Sequence, residues 1–241
     1  MSADGILIPN LRQYFAVACN SMTNTLIIQK AIEEIEAKTF GVTKQFLEVH
    51  QVVYSDGKPK VARVDTEKED GTAIVYFPVV DEKFYVVVYL DTHPEISVRY
   101  VNTEPFHSVY FRATSEILSS NELSALTKLK PTSGWDKGDK KRFGNSVYKF
   151  ASLTFEPNPE ADEFDDKIKK LLDFLEQDKE GIKMLVDNAN GYVQVATSFH
   201  NGNTMLGGHH LDKTIIKSLG SLNLEIDFDI YADGNKFNEP E

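Results

Sequence analysis

Three histidines in the C-terminal half of the sequence are the residues best suited to hold a metal ion. His209 and His210 are adjacent, and His200 precedes them. Histidine is the commonest protein ligand for transition metals. Adjacent histidines on a loop point in different directions, however, and the sequence defines no third ligand. We therefore predict no metal and no cofactor, and whether the three histidines converge stays open.

Three carboxylates share one face of the last predicted strand. Glu225, Asp227 and Asp229 alternate with apolar residues, and a strand places alternate side chains on the same face. Paired carboxylates can act in acid–base catalysis or bind a hard cation. The alternative is a solvated acidic face, or one that meets Lys213 and Lys217 of the preceding helix. We predict that the carboxylates belong to a binding surface.

A charged loop at residues 132–142 holds further candidates for contact with a partner. It contains Trp135, Lys137, Gly138 and Asp139. It lacks the glycine-rich strand–loop–helix context of a phosphate-binding loop. We expect Trp135 to anchor the loop in a core, and we predict a contact surface at Trp135, Lys137 and Asp139. A merely solvated loop is the alternative.

Four tyrosines are expected on the side of the first-half sheet that its helix leaves open: Tyr76, Tyr85, Tyr89 and Tyr100. An aromatic surface of this kind can be a binding face. Covering a sheet edge or a domain interface is the alternative role. Tyr85 and Tyr89 are the candidate binding residues of this set.

Charge and cysteine content exclude several classes of function. The 241-residue chain carries a formal net charge of −11 at pH 7, which argues against nucleic acid or an anionic membrane as the main partner. Cys19 is the single cysteine, so neither an intrachain disulfide nor a thiolate metal cluster can form. Residues 6–8 are too short an apolar run for a signal peptide. No segment approaches the roughly 20 apolar residues of a membrane helix, and we expect a cytoplasmic protein.

The elements that position these residues are read from apolar periodicity and turn residues. In the first half we predict a short strand at 14–18, a helix at 21–38, and strands at 44–54, 61–64, 73–80, 83–90 and 96–101. In the second half we predict strands at 107–114 and 146–155, helices at 119–129, 161–176 and 180–187, and a strand–helix–strand unit over 192–231. Residues 102–105 are the predicted boundary, and residues 235–241 are predicted to be a frayed tail.

This order of elements predicts an α+β fold of two small domains. Residues 1–104 form a helix plus an antiparallel meander, and residues 105–241 form a mixed sheet with helices on one face, a ferredoxin-like variant.

The second half resembles a known family in three features. They are a helix running into Leu129-Lys130-Pro131-Thr132, Trp135 followed by Lys137, Gly138 and Asp139, and Leu219-Gly220 followed by Leu224, Ile226, Asp227, Asp229, Ile230 and Tyr231. With these features, residues 106–232 resemble the bacterial family called domain of unknown function 4279. The resemblance implies a compact bacterial domain without assigned catalytic residues, in the neighbourhood of toxin and immunity genes. Residues 1–104 resemble no family that we can name.

These observations favour a protein that is not an enzyme, because the sequence contains no nucleophile elbow, zinc-protease helix or dinucleotide fingerprint. We expect it to bind another protein. The most specific version of this hypothesis is an immunity-type inhibitor of a basic bacterial toxin. The alternative is a small-molecule-binding protein or hydrolase with a cleft between the halves, lined by tyrosines and histidines. A homodimer formed through a sheet edge is the third hypothesis, so a monomer and a homodimer both stay open.

Overall fold

The computed structural model describes residues 11–142, 144–202 and 207–237, with side chains from Thr23 onward. Its helices are α1 (Leu11–Ala37), α2 (Gly41–Val49), α3 (Ser120–Ser124), α4 (Phe164–Glu176), α5 (Lys179–Asn188) and α6 (Lys213–Ser221). Its strands are β1 (Tyr54–Ser55), β2 (Lys58–Pro59), β3 (Arg63–Asp65), β4 (Thr72–Pro78), β5 (Phe84–Asp91), β6 (Ser97–Ser115), β7 (Ser133–Trp135), β8 (Ala151–Phe155), β9 (Asn190–His200) and β10 (Glu225–Asp233). The predicted α+β class is confirmed.

The chain divides into two compact units. Unit 1 comprises Met1–Glu104 with Asn235–Glu241, and unit 2 comprises Pro105–Gly234. A compact unit need not fold by itself, so the prediction of two separate domains stays a prediction, as does the ferredoxin-like variant.

Unit 1 packs α1 against one face of a sheet. β3 pairs with β4 and β4 pairs with β5, both antiparallel, and β6 lies beside β5. The β4–β5 hairpin is confirmed, and Asp81 takes the positive φ of 60° at its turn. The buried apolar side chains of this core include Ile27, Ala31 and Ile35 of α1 and Ala73, Val75, Phe77, Phe84, Val86, Val88 and Leu90 of the hairpin. Alternate strand residues supply the core, as expected for a sheet covered on one face by a helix.

The strand predicted at residues 44–54 is wrong, because most of that segment forms α2. The cause lies in α1, where Glu34 is only 3% exposed. Its carboxylate accepts hydrogen bonds from the backbone N–H of Phe40 at 3.1 Å and from Oγ1 of Thr43 at 2.5 Å. The Glu34 carboxylate therefore lies at the N-terminus of α2. It accepts from a backbone N–H that the helix leaves unpaired, and its negative charge interacts favourably with the positive end of the helix dipole. α2 then buries Phe46 in the core of unit 1.

One further prediction in this half is wrong. Residues 14–18 lie inside α1 and form no strand, because a helix that has started gains one hydrogen bond with each added residue. Residues 102–105, predicted as a boundary, lie inside β6 and contain the point between Glu104 and Pro105 at which the chain divides into its two compact units. The turn predicted at Asp56-Gly57 is confirmed, and it joins β1 to β2 with φ values of 52° and 75°.

Unit 2 contains a mixed sheet with the strand order β10-β9-β6-β8-β7. β9 and β10 are parallel and are connected through α6, whereas the other pairs are antiparallel. One face of the sheet is covered by helices. The buried core on that face includes Val109, Phe111, Ala113, Val193 and Val195 of the sheet and Ile168, Leu171, Leu175, Ile182, Leu185, Ile215 and Leu219 of the helices.

The capping box predicted at Ser119 and Glu122 is confirmed, but the helix that it starts is short. α3 ends at Ser124, whereas the sequence predicts a helix to residue 129. The chain leaves the helix because Thr127 Oγ1 and the Lys128 N–H donate to the Asp178 carboxylate at 2.8 and 2.6 Å. These hydrogen bonds tie the end of the α3 segment to the start of α5.

The described helices include none that is both long enough and apolar enough to cross a membrane.

The first residues of the segment 235–241, which the sequence predicts to be a frayed tail, make ordered contacts in the structure. Asn235 Nδ2 donates to the Val49 carbonyl at 2.8 Å, and the Phe237 ring lies 5.1 Å from the Phe46 ring. The first residues of the predicted tail are therefore packed in unit 1, and residues 238–241 lie outside the described residues.

Candidate functional site

The sheet of unit 2 has a second face, and most of the predicted site residues lie on it. Its helix-covered face takes the odd-numbered residues of β6 and β9, so the even-numbered ones project to the other side. Strand register aligns this second face across the whole sheet, and we call it the acidic–aromatic face. Its main residues are Trp135, Tyr110, Arg112, Tyr192, Gln194, Glu225, Asp227, Asp229 and Tyr231.

Aromatic rings and one guanidinium form one half of this face. Arg112 Cζ lies 4.9 Å from the centroid of the Tyr110 ring and 5.7 Å from that of Trp135. Trp135 in turn stacks on Tyr148 with ring centroids 4.4 Å apart. Cation–π contacts and stacking fix ring orientation. The half is therefore a preformed platform of flat side chains.

Three buried polar atoms on this platform have no hydrogen-bond partner within the described residues: Arg112 Nε, Trp135 Nε1 and Ser152 Oγ. Ser152 stands opposite Trp135 in the β7–β8 pairing and is fully buried. A buried polar atom without a partner costs roughly 1–3 kcal/mol. In native structures such an atom is explained by local strain, by a catalytic role or by an ordered water or ion. A ligand that shifts the Trp135 or Arg112 side chain would gain these groups as hydrogen-bond partners.

Carboxylates form the other half of the acidic–aromatic face. Gln194 is 5% exposed, and its Nε2 donates to Asp229 Oδ2 at 3.2 Å and to the Asp227 carbonyl at 3.4 Å. The negative charge of Asp229 raises the pKa of Tyr231. Burial raises the pKa of Tyr110 farther along the sheet. α6 packs on the opposite face of the sheet, so its lysines do not lie over these carboxylates.

β10 is the outer strand at this end of the sheet, and β9 is its neighbour in the described part of the chain. The sequence predicts an apolar face for β10, and in the structure only part of that face is buried. Ile226 packs on the core, whereas Phe228 is 37% and Ile230 is 53% exposed. The C-terminal half of β10, from Asp227 onward, therefore presents exposed apolar side chains on one face of the sheet and carboxylates on the other.

The predicted loop residues Lys137 and Asp139 lie beside Trp135 and are exposed. Lys137 Nζ donates to the Glu116 carbonyl at 3.3 Å. Asp139 Oδ2 accepts from the Asp136 N–H at 2.8 Å. Both charged side chains thus shape the loop that follows Trp135.

The predicted tyrosines of unit 1 lie together on the sheet face opposite α1. Tyr85 is 8% exposed and meets Tyr76 edge to face at 5.8 Å. Tyr89 stacks on Tyr100 at 4.2 Å, and its hydroxyl donates to Glu104. Burial, and then the hydrogen bond to Glu104, raise the pKa of Tyr89. Tyr85 is therefore mostly enclosed, whereas Tyr89 and Tyr100 line a cavity of about 360 Å³.

The structure brings together a histidine pair that the sequence does not predict. His107 Nδ1 lies 3.0 Å and His209 Nε2 lies 2.9 Å from the Thr197 hydroxyl, which bridges the two rings. His209 also packs on Phe164 and Phe228, at centroid distances of 4.2 and 5.4 Å. Thr197 is fully buried, so its hydroxyl is out of reach of a substrate.

Burial lowers the pKa of both rings of this pair. Burial lowers the pKa of His107 to about 3, with further contributions from the charges of His209 and Lys167. Burial also lowers the pKa of His209, while Asp165 acts in the opposite direction. Lys167 is 1% exposed, its ammonium donates to the Asn158 carbonyl at 2.8 Å, and burial lowers its pKa as well. The cluster is a satisfied polar network inside unit 2.

The other two predicted histidines are placed elsewhere. His200 is buried and accepts from the Gly202 N–H at 3.2 Å, and His210 is exposed. In the part of the chain that is described, no group of three or more His, Cys, Asp or Glu side chains is arranged to hold a metal ion. Nothing in the sequence marks His107 as a partner of His209. His107 meets Thr197 through the pairing of β6 with β9, and His209 reaches Thr197 from the loop before α6.

Comparison with known proteins gives one match. The model of a family described as Domain of unknown function (DUF4279) matches residues 104–233, more than half of the chain. No curated protein and no solved structure matches the chain. The matched range contains the acidic–aromatic face, β10 and the histidine pair. These features are therefore part of the family's domain, and the match assigns no activity to them.

Proposed function

The chain belongs to the DUF4279 family, and from that premise we propose that it is a non-enzymatic protein that binds a basic protein partner. The strand β10 carries the proposal. It combines an outer position in the sheet with Asp227 and Asp229 on one face and exposed Ile230 on the other. The carboxylates attract the cationic side chains of a basic chain, and the exposed apolar side chain adds contact area.

The expected mode of contact is addition of a strand. The outer side of an edge strand leaves backbone N–H and C=O groups for another chain. Main-chain hydrogen bonds then give affinity, and the side chains of the edge select the partner. Phe228 and Ile230 supply apolar area, while the carboxylates of β10 favour Lys and Arg.

Charge supports the same choice of partner. The net charge of −11 attracts a positively charged protein over distances of about a Debye length and speeds its association. It repels acidic proteins and nucleic acid, so the charge also selects against wrong partners.

An immunity-type inhibitor of a bacterial toxin is the finer form of the proposal. Its support is the acidity of the chain and the gene neighbourhood that the family resemblance implies. Inhibition of a basic enzyme needs no chemistry in the inhibitor, only a complementary surface.

The test is capture of the partner by wild-type protein and by a double charge-reversal variant, Asp227→Lys with Asp229→Lys. We expect a basic protein to be retained by the wild type and lost by the variant, at least tenfold in Kd, because each reversal replaces an attraction by a repulsion. Asp173→Lys with Glu176→Lys on α4 is the matched control, since it changes net charge equally away from β10. Retention of the partner by the β10 variant, or loss by both variants, would contradict the proposal.

A second candidate is a small-molecule-binding protein, and the cavity of unit 1 favours it. Tyr89, Tyr100 and Arg99 line about 360 Å³ there. Arg99 forms ion pairs with Asp70 and Asp91, which leaves the stacked rings as the main ligand contact. A ligand screen by thermal shift tests this candidate: a ligand of the cavity should raise the melting temperature of the wild type but not of Tyr100→Ala. Light scattering separately distinguishes a monomer from a homodimer.

A further inference from the structure

A small cavity in unit 2 lies where two helices end and two parallel strands begin. Its volume is about 300 Å³. Val186 and Asn190 border it from the end of α5 and the start of β9, and Gly220, Leu224 and Glu225 border it from the end of α6 and the start of β10. The cavity therefore adjoins the first residue of the edge strand.

The electrostatic field in this cavity is negative from two independent sources. α5 and α6 both end there, and the C-terminal end of a helix carries a partial negative charge. At the end of α6 the carbonyls of Ser218, Leu219 and Gly220 already accept backbone hydrogen bonds, so α6 contributes its dipole and no vacant acceptor. Neither helix has a basic residue in its last turn to offset this charge. Glu225 is the charged side chain among the lining residues that the structure describes.

The walls combine apolar and hydrogen-bonding groups. Val186 and Leu224 provide the apolar part, and both pack against the core of unit 2. Asn190 and Asn223 bring side-chain amides that can accept hydrogen bonds. Asn223 adopts a φ of 56° at the end of α6, where its N–H donates to the Gly220 carbonyl at 3.2 Å. A ligand for this cavity needs an apolar stem and a cationic end.

We propose that the cavity binds the side-chain ammonium of a lysine on the basic partner, an inference that rests on the proposed function. A lysine has an apolar stem that can lie along Val186 and Leu224, and a compact ammonium that can donate to the Glu225 carboxylate. A divalent cation fits poorly, because calcium requires six to eight oxygen ligands with several carboxylates. An anion is repelled by both helix ends and by Glu225.

The test uses Nα-acetyl-lysine methylamide as the probe, with the glutamate analogue as its matched opposite. Titration into isotopically labelled full chain, followed by NMR, reports the backbone amides of Gly191 and Gly220 next to the cavity. We expect millimolar, saturable binding of the lysine probe and none of the glutamate probe. Equal binding of both probes, or no shift at these amides with the lysine probe, overturns the proposal.

Two variants locate the binding. Glu225→Gln should weaken binding of the lysine probe about fivefold or more, because it removes the charged acceptor. Glu176→Gln is the matched control, since it neutralises an exposed carboxylate on α4, away from the cavity and from β10. Gly220→Leu should abolish binding by filling the cavity, and a Cβ at Gly220 meets no atom within 4 Å. Unchanged binding in Glu225→Gln overturns the proposal even if the leucine variant fails to fold.

Two further comparisons complete the test. One compares a lysine with a polyamine as the source of the ammonium group, and the other separates the cavity proposal from the proposed function. Tighter binding of free spermidine than of the lysine probe at these amides would assign the cavity to a polyamine and overturn the lysine. If the probe binds in a Glu225-dependent manner but no basic protein is captured, the proposed function fails and the cavity stands. If a basic partner is captured equally by wild type, Glu225→Gln and Gly220→Leu, the proposed function stands and the cavity assignment fails.

Discussion

At the scale of single residues, His107 contributes a dependence of stability on pH. Its folded-state pKa is about 3, well below the value near 6.5 of a histidine in an unfolded chain. Between these two values the unfolded state binds more protons than the folded state. The contribution of His107 to stability is therefore complete above about pH 6.5 and is lost as the pH falls toward 3.

We expect the His107→Gln variant to lose stability more slowly than the wild type on acidification through this window. The difference in slope should approach, at most, about 1.4 kcal/mol per pH unit. Urea unfolding at a series of pH values measures it. His210→Gln is the control, because His210 is exposed, and its slope should match that of the wild type. Parallel curves for His107→Gln and wild type would show that the ring is not held neutral.

At the scale of elements, two helical glycines should respond in opposite ways to the same substitution. A Cβ on Gly181 of α5 would meet the Asp178 carboxylate and would lie 2.8 Å from Thr127 Cα. That carboxylate caps α5 and also holds Lys128. A Cβ on Gly220 of α6 meets nothing within 4 Å.

Gly181→Ala should therefore destabilise the protein by about 1–3 kcal/mol, because it forces the cap and the α3 segment away from α5. Gly220→Ala should be neutral or stabilise by up to about 1 kcal/mol, since alanine loses less chain entropy in a helix. Equilibrium unfolding in urea compares both variants with the wild type. The account of the α5 cap would be refuted by an alanine at position 181 that leaves stability unchanged.

Local patterns predicted some elements correctly, and residues distant in sequence caused the errors. The apolar stripe of Ile168, Leu171 and Leu175 predicts α4, and alternation predicts β10, because all the information lies within the element. The α2 helix is missed because its stabilising carboxylate, Glu34, belongs to the preceding helix.

The candidate site follows the same rule. Alternation along β10 is enough by itself to place Asp227 and Asp229 on one face. The contact of Arg112 with Trp135 and the bridge from His107 through Thr197 to His209 depend on strand order. Strand order is decided by packing of the whole unit and leaves no mark in local periodicity. Sequence reasoning therefore finds single residues of the site but not their partners.

At the scale of the whole molecule, the excess of acidic residues should govern how fast the partner binds. With the partner identified by capture, the association rate should fall about tenfold or more between roughly 50 and 500 mM salt, because ions screen long-range attraction. The dissociation rate should change much less, since close contacts persist at high salt. Stopped-flow measurements of both rates test this expectation. An association rate independent of salt would mean that the charge of −11 has no part in recognition.

Two contacts of the C-terminal segment, from Asn235 to Val49 and from Phe237 to Phe46, affect the order in which unit 1 can fold during translation. Most of unit 1 precedes unit 2 in the chain, yet it receives these two contacts from residues that follow unit 2. While unit 2 is being made, α2 must wait with its Phe46 ring uncovered on that side. Unit 1 therefore gains these two contacts only after unit 2 has been translated.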